Sequence, residues 1–338
     1  MKKIIFLAGI FVIILAGCEN KNAFTLTGTL GSGDMDGKFA YLLQLDSNLR
    51  IGSAIDSVKI EKSKFVFKGI AQEPPLVRFI AVGESRRAVD LAIIEKGLIE
   101  FNIDAKMQAT VKGTEINEQY NLFRKNIAEK GSGGDIIYDF IKSNITNQLG
   151  QFYLLQAQFN LSDRQLKELI SLPTSDFRKI QSVLNLGKRI DVREATAAGK
   201  RFTDVKGLNF DGKEVKLSDY AGKGKIVLID FWASWCGPCI ADMPGVIELY
   251  QKYKNKGFEI FGISLDSSKE NWKKSTDDLK ITWPQFSNLK GWEEDGAVAY
   301  GVNSIPHTVL IDKDGIIIER GLRGDALKNK LEGLFGGK

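Results

Sequence analysis

The chain has 338 residues, with 47 Lys+Arg against 42 Asp+Glu, one histidine and three cysteines. That length suggests about two domains at ~150 residues each, and 43% hydrophobic with 26% charged residues is the balance of a soluble globular protein that buries a real core. One histidine excludes a multi-histidine metal site, three cysteines exclude a disulfide framework over this length, and a formal charge of +5 does not suggest a nucleic-acid partner. The N-terminus reads Met1-Lys2-Lys3, then an apolar run from Ile4 to Gly17, then Cys18. A basic start before a 14-residue apolar stretch fits a secretory signal, and the stretch is short for a spanning helix, which needs ~20 residues.

The run closes as Leu15-Ala16-Gly17-Cys18, which resembles the bacterial lipobox. That resemblance implies cleavage before Cys18 and lipidation of its thiol, with residues 1–17 as signal peptide and 18–23 as lipidated N-terminus and tether. Several acyl chains on one residue anchor stably where one does not. The competing reading is an uncleaved signal anchor with an incidental cysteine. Cleavage would remove Lys2 and Lys3 and leave 45 basic against 42 acidic side chains, or +3. The implied address is the bacterial cell envelope, on the periplasmic side or the outer surface.

From residue 24 to 114 the pattern is β-like. Phe24-Thr25-Leu26-Thr27, Ser57-Val58-Lys59-Ile60 and Lys64-Phe65-Val66-Phe67-Lys68 alternate, and residues 92–94 and 98–103 follow. Turn clusters such as Gly31-Ser32-Gly33-Asp34 separate the runs, and Pro74-Pro75 marks a loop or sheet edge. Short strands at this spacing predict a β sandwich or barrel-like domain. Between 115 and 198 the period becomes helical, with Ile116, Tyr120, Phe123 and Ile127 on one face and a capping box at Ser162 and Gln165. A loop is expected at Gly131-Ser132-Gly133-Gly134. This stretch reads as a helical connector, either a spacer or a docking element.

Residues 199–338 carry all five tryptophans, the histidine and the other two cysteines. Buried-strand runs at 226–231, 258–265, 308–312 and 315–319 alternate with helical segments at 239–256, 269–279, 294–301 and 325–334, which predicts an α/β sheet. Cys236-Gly237-Pro238-Cys239 follows the first strand and opens a helix. A helix N-terminus lowers the pKa of a thiol placed there, the spacing lets the two sulfurs cycle between dithiol and disulfide, and Pro238 is tolerated in the first turn. Half a zinc site is the other use of such a pair. Zinc needs two further ligands, and with Cys18 lipidated only His307 remains among cysteines and histidines. A purely structural disulfide would close too small a loop to constrain the unfolded chain much. No metal is expected.

Residues 227–239, ending Asp230-Phe231-Trp232-Ala233-Ser234-Trp235-Cys236-Gly237-Pro238-Cys239, resemble the thioredoxin active-site segment. Tyr300-Gly301-Val302-Asn303-Ser304-Ile305-Pro306 is similar to the thioredoxin segment that ends in a cis-proline. The lead-in Leu217-Ser218-Asp219-Tyr220-Ala221-Gly222-Lys223 and an extra strand–helix unit resemble envelope-anchored thioredoxins of the TlpA and ResA type. The likeness covers about residues 196–338. The β domain resembles an uncharacterised domain found ahead of such proteins in Gram-negative lipoproteins.

The resemblance implies a thioredoxin fold and thiol–disulfide exchange with no cofactor beyond the Cys236–Cys239 disulfide. Cys236, exposed at the helix start, would attack a protein disulfide, and the more buried Cys239 would resolve the adduct. Asp230 matches the family's buried acid, whose pKa burial raises to suit proton exchange with Cys239. Asp242 and Pro244 stand where the family shows Glu-x-Pro, with the shorter acid assisting and the proline kinking its helix. Trp235, Gly237, Pro238, Ile305 and a cis Pro306 would meet the substrate, Ile305 through its backbone. Trp232 is open to two readings, contact surface or packing, and His307 to two more, a tuner of Cys236 or a strand-start side chain. The expected partners are protein thiols and disulfides of the envelope and an upstream membrane thiol-reducing protein. The Gly-Pro pair equals that of thioredoxin and points to net reduction. Rival readings are a thiol peroxidase, which wants Thr-x-x-Cys where Ser234-Trp235 precede Cys236, and a surface binding module that works through residues 24–114.

Overall fold

A computed structural model describes residues 21–336 apart from Ser32 and Ser132. The expected signal peptide and Cys18 lie outside the described residues. The chain divides into two compact units between Leu184 and Asn185.

The first unit begins with eight strands: β1 Ala23–Leu30, β2 Phe39–Leu45, β3 Ile51–Lys59, β4 Lys64–Ile70, β5 Leu76–Val82, β6 Ala88–Ile94, β7 Gly97–Ile103 and β8 Ala109–Lys112. They form two four-stranded sheets ordered β4-β1-β7-β8 and β3-β2-β5-β6. Alternation builds the first sheet: Phe24, Leu26 and Leu30 of β1 are buried while its threonines stay partly exposed. The helices are α1 Glu115–Lys130, α2 Gly134–Asn144, α3 Gln148–Gln156, α4 Asp163–Ser171, α5 Ser175–Arg178 and α6 Gln181–Ala195, the last crossing the division. Ser162 and Gln165 form the reciprocal capping box of α4, and Gly131 ends α1 at φ 81°.

α1 packs against β6 and β8 and α3 against β5, with α2 packed on α1 and α3. Phe123 stacks on Phe140 at 3.8 Å, and Phe152 meets Phe79 of β5 edge-on at 5.4 Å. Asn117 of α1, fully buried, closes the free edge of β6: it accepts from the Ile93 N–H at 2.9 Å and donates to the Ile93 carbonyl at 2.7 Å. Leucine there keeps the volume but leaves the buried Ile93 N–H unpaired, at a cost of about 1–3 kcal/mol, while the Ile93 carbonyl still accepts from the Glu95 N–H at 3.1 Å. Asn117→Leu is therefore expected to raise the hydrogen-exchange rate of the Ile93 amide by at least ~10-fold. An unchanged rate would remove this role for Asn117.

The second unit continues from α6 with a hairpin of β9 Lys206–Leu208 and β10 Glu214–Lys216, then β11 Ile226–Trp232, α7 Gly237–Tyr253, β12 Phe258–Ser264, α8 Lys269–Asp278, β13 Gln285–Phe286, α9 Asp295–Ala299, β14 His307–Ile311, β15 Ile317–Arg320 and α10 Gly324–Phe335. The five-stranded sheet is ordered β13-β12-β11-β14-β15. β11 runs parallel to β12 and antiparallel to β14. Every residue of β11 and β12 is buried, which is why they read as apolar runs interrupted only by Asp230 in β11 and by Glu259 and the terminal Ser264 in β12. This is the thioredoxin fold, preceded in the chain by an all-β region and a helical segment. Among the described residues no helix is long and apolar enough to cross a membrane.

Candidate active site

β11 ends at Trp232, and a turn closed by the Cys236 N–H on the Ala233 carbonyl (3.1 Å) leads into α7. Cys236 is the N-cap of α7, and its sulfur accepts from the Cys239 N–H at 3.2 Å. The two cysteines are joined as a disulfide. Pro238 sits in the first turn, and α7 runs on through Pro244 to Tyr253. Cys236 is 5% exposed and Cys239 2%, so the expectation of an exposed Cys236 is corrected for this oxidised state. Cys236 is buried in this disulfide state, while its neighbours Trp235 (55% exposed), Gly237 and Pro238 are exposed.

Asp230, 4% exposed, lies on β11 opposite Thr308 of β14 and Gly262 of β12. With Cys239, Asp242, Pro306, Thr308 and Arg323 it lines a cavity of about 20 Å³, room for one water. Burial pushes its carboxyl up to about 7, the Asp242 charge adds to that, and Arg323 opposes it. The Ile305–Pro306 peptide is cis, and both residues are half-buried.

Successive strand side chains point to opposite faces. Thr308 lines the Asp230 cavity, so His307 faces away: it packs on Phe231 and meets Arg320 Nη2 at 3.3 Å. Burial, then the charges of Arg320 and Arg193, hold the imidazole down at about 4, a neutral ring at physiological pH. Trp232 is fully buried and donates to Gln285 Oε1 at 3.0 Å, which decides for packing.

Two features escaped the sequence reading. Asp266, buried just beyond β12, accepts from the Ser234 N–H at 3.0 Å and from the Ser234 and Ser264 hydroxyls, so it ties the loop before Cys236 to the neighbouring strand. An acid directly after a buried apolar run was the available signal. Trp292, also exposed, stands 6.1 Å from Trp235 ring to ring. Among the described residues no cluster of three or more His, Cys, Asp or Glu is placed to hold a metal ion.

Over 141 residues the chain is 36% identical to the thiol-disulfide oxidoreductase ResA of Bacillus thuringiensis (strain Al Hakam), across 42% of this chain and 78% of that protein. The chain belongs to the ResA family of thiol-disulfide oxidoreductases. The ResA protein of Bacillus anthracis matches with the same identity and coverage. Residues 198–320 match the AhpC/TSA family, and residues 24–120 match a domain of unknown function (DUF4369). The solved thioredoxin domain of a thiol-disulfide oxidoreductase from Bacteroides vulgatus shares 36% identity, with 41% of this chain and 98% of that chain covered and a TM-score of 0.39. The AhpC/TSA match spans the whole dithiol site, from β11 to Pro306.

Proposed function

We propose that this ResA-family protein is an envelope-anchored protein-disulfide reductase, held to the membrane through a lipidated Cys18. The observation that carries the chemistry is the Cys236–Cys239 pair at the N-terminus of α7 with buried Asp230 in the same cavity. In the reduced enzyme the Cys236 thiolate, favoured by the helix N-terminus, attacks one sulfur of a client disulfide and releases the other as a thiolate. Cys239 passes its proton to Asp230 and attacks Cys236. The bond between Cys236 and client breaks, and the second client thiolate leaves. Two electrons have moved to the client, and the enzyme holds the disulfide seen here. An upstream membrane thiol protein returns it to the dithiol.

The Gly237-Pro238 dipeptide supports the reducing direction, since thioredoxin with the same pair has a potential of about −270 mV. Trp235, Gly237 and Pro238 are exposed beside Cys236, and cis Pro306 presents the Ile305 backbone to an extended client segment. Residues 18–23 act as tether, 24–114 as a β domain of unassigned role, 115–198 as a connector and 199–338 as the catalytic domain.

Trapping tests the reading. Cys239→Ala is expected to accumulate mixed disulfides with envelope proteins through Cys236, and Cys236→Ser combined with it to lose them. Adducts that persist without Cys236 would assign the nucleophile elsewhere.

A further inference from the structure

We propose that Arg323 is a positioning residue that holds the Asp242 carboxylate at the mouth of the Asp230–Cys239 cavity and balances its charge where a proton leaves. The inference rests on the dithiol reading above. Asp242 follows Cys239 by three residues on α7, so the two share a helix face. Arg323 is the residue before α10, and its Nε donates to Asp242 Oδ2 at 2.6 Å across 81 positions of sequence. The pair is partly exposed, with side chains 42% and 33% accessible, while Asp230 and Cys239 on the inner wall are buried. The ion pair is thus the polar boundary between the buried acid and solvent.

The groups around Asp230 make this assignment specific. From α7 come Cys239 and Asp242, and from the segment before α10 comes Arg323. β14 brings only Thr308, whose hydroxyl is committed to the Leu322 carbonyl at 2.7 Å. β12 brings Gly262, with no side chain. Asp325 and Lys328 of α10 line the groove outside Asp242. During resolution the Cys239 proton passes to Asp230 and has to depart before the next cycle. The carboxylate of Asp242 alone would hold that proton back, and the guanidinium of Arg323, on the wall of the same cavity and paired with Asp242, acts against it by its opposite charge.

The test is the pH profile of single-turnover oxidation of the reduced full-length protein by a cystine-containing peptide. Arg323→Met is expected to move its midpoint to more alkaline pH by roughly half a unit, Asp242→Asn to move it to more acid pH, and Arg323→Lys to restore the wild-type midpoint. A midpoint that stays put or turns acid in Arg323→Met overturns the proposal. So does an Arg323→Lys profile that matches Arg323→Met, or a rate lowered equally at every pH, which is the mark of a merely structural contact. Failure of the wild-type protein to turn over at all would strike the dithiol reading instead, so the two failures are distinguishable.

Discussion

Cys236→Ser is expected to lower turnover of a peptide disulfide by more than ~10³-fold, because a serine hydroxyl at neutral pH replaces the thiolate that makes the first bond. The cysteine that follows behaves differently. Cys239→Ser leaves the first attack intact, so one equivalent of client thiol is released in a burst and the cycle then stops at the mixed disulfide. The contrast separates the two sulfurs by role, where overall activity alone would not. Both variants keep a side chain of similar size at the start of α7, and the disulfide spans only three positions, so the fold loses little chain constraint. A Cys236→Ser protein with wild-type burst amplitude would be incompatible with the proposed order of attack.

Asp230→Asn has the largest expected effect on stability. The folded chain holds the Asp230 proton up to about 7, against an ordinary value of 3.8. The fold disfavours the charged form, so its folded pKa lies above the unfolded one. The stability associated with this group is full below about pH 4, falls as pH rises through about 7, and stays lost above that. Three pKa units amount to about 4 kcal/mol. Asparagine does not titrate, so the variant should match the wild type near pH 4 and exceed it by about 4 kcal/mol at pH 8. Urea unfolding of the oxidised proteins at the two pH values measures the gap, and a gap independent of pH would refute the buried-acid account. The same variant should slow resolution by about 10²-fold, the usual scale for losing a positioned proton acceptor. Greater stability with lower activity is the signature of a group kept for chemistry.

The dithiol unit was legible because burial writes itself plainly there. β11 and β12 are buried along their whole length and appear as mainly apolar runs, and the helix opening on Pro238 is marked by its own residues. The first unit was read less completely. β2 and β5 are central strands in which the two-residue alternation that revealed β1 and β4 fails, by a slip at Leu42-Leu43 in β2 and by continuous burial from Phe79 to Val82 in β5. The hairpin of β9 and β10 and the two-residue β13 are too short to carry a period. Within the site, Asp230 and Asp242 could be placed by their distance from the cysteines. Asp266 and Arg323 could not, because each reaches the site from a distant part of the chain. The face of His307 became decidable only once the register of β14 against β11 was known.

The bonds from Asp266 to Ser234 and Ser264 lace the ends of two parallel strands into one rim beneath Cys236. That lacing is complete as soon as the sheet exists, before any client arrives. These three bonds need not be formed on docking, so the loop before Cys236 adds little ordering cost of its own to an encounter with a disulfide.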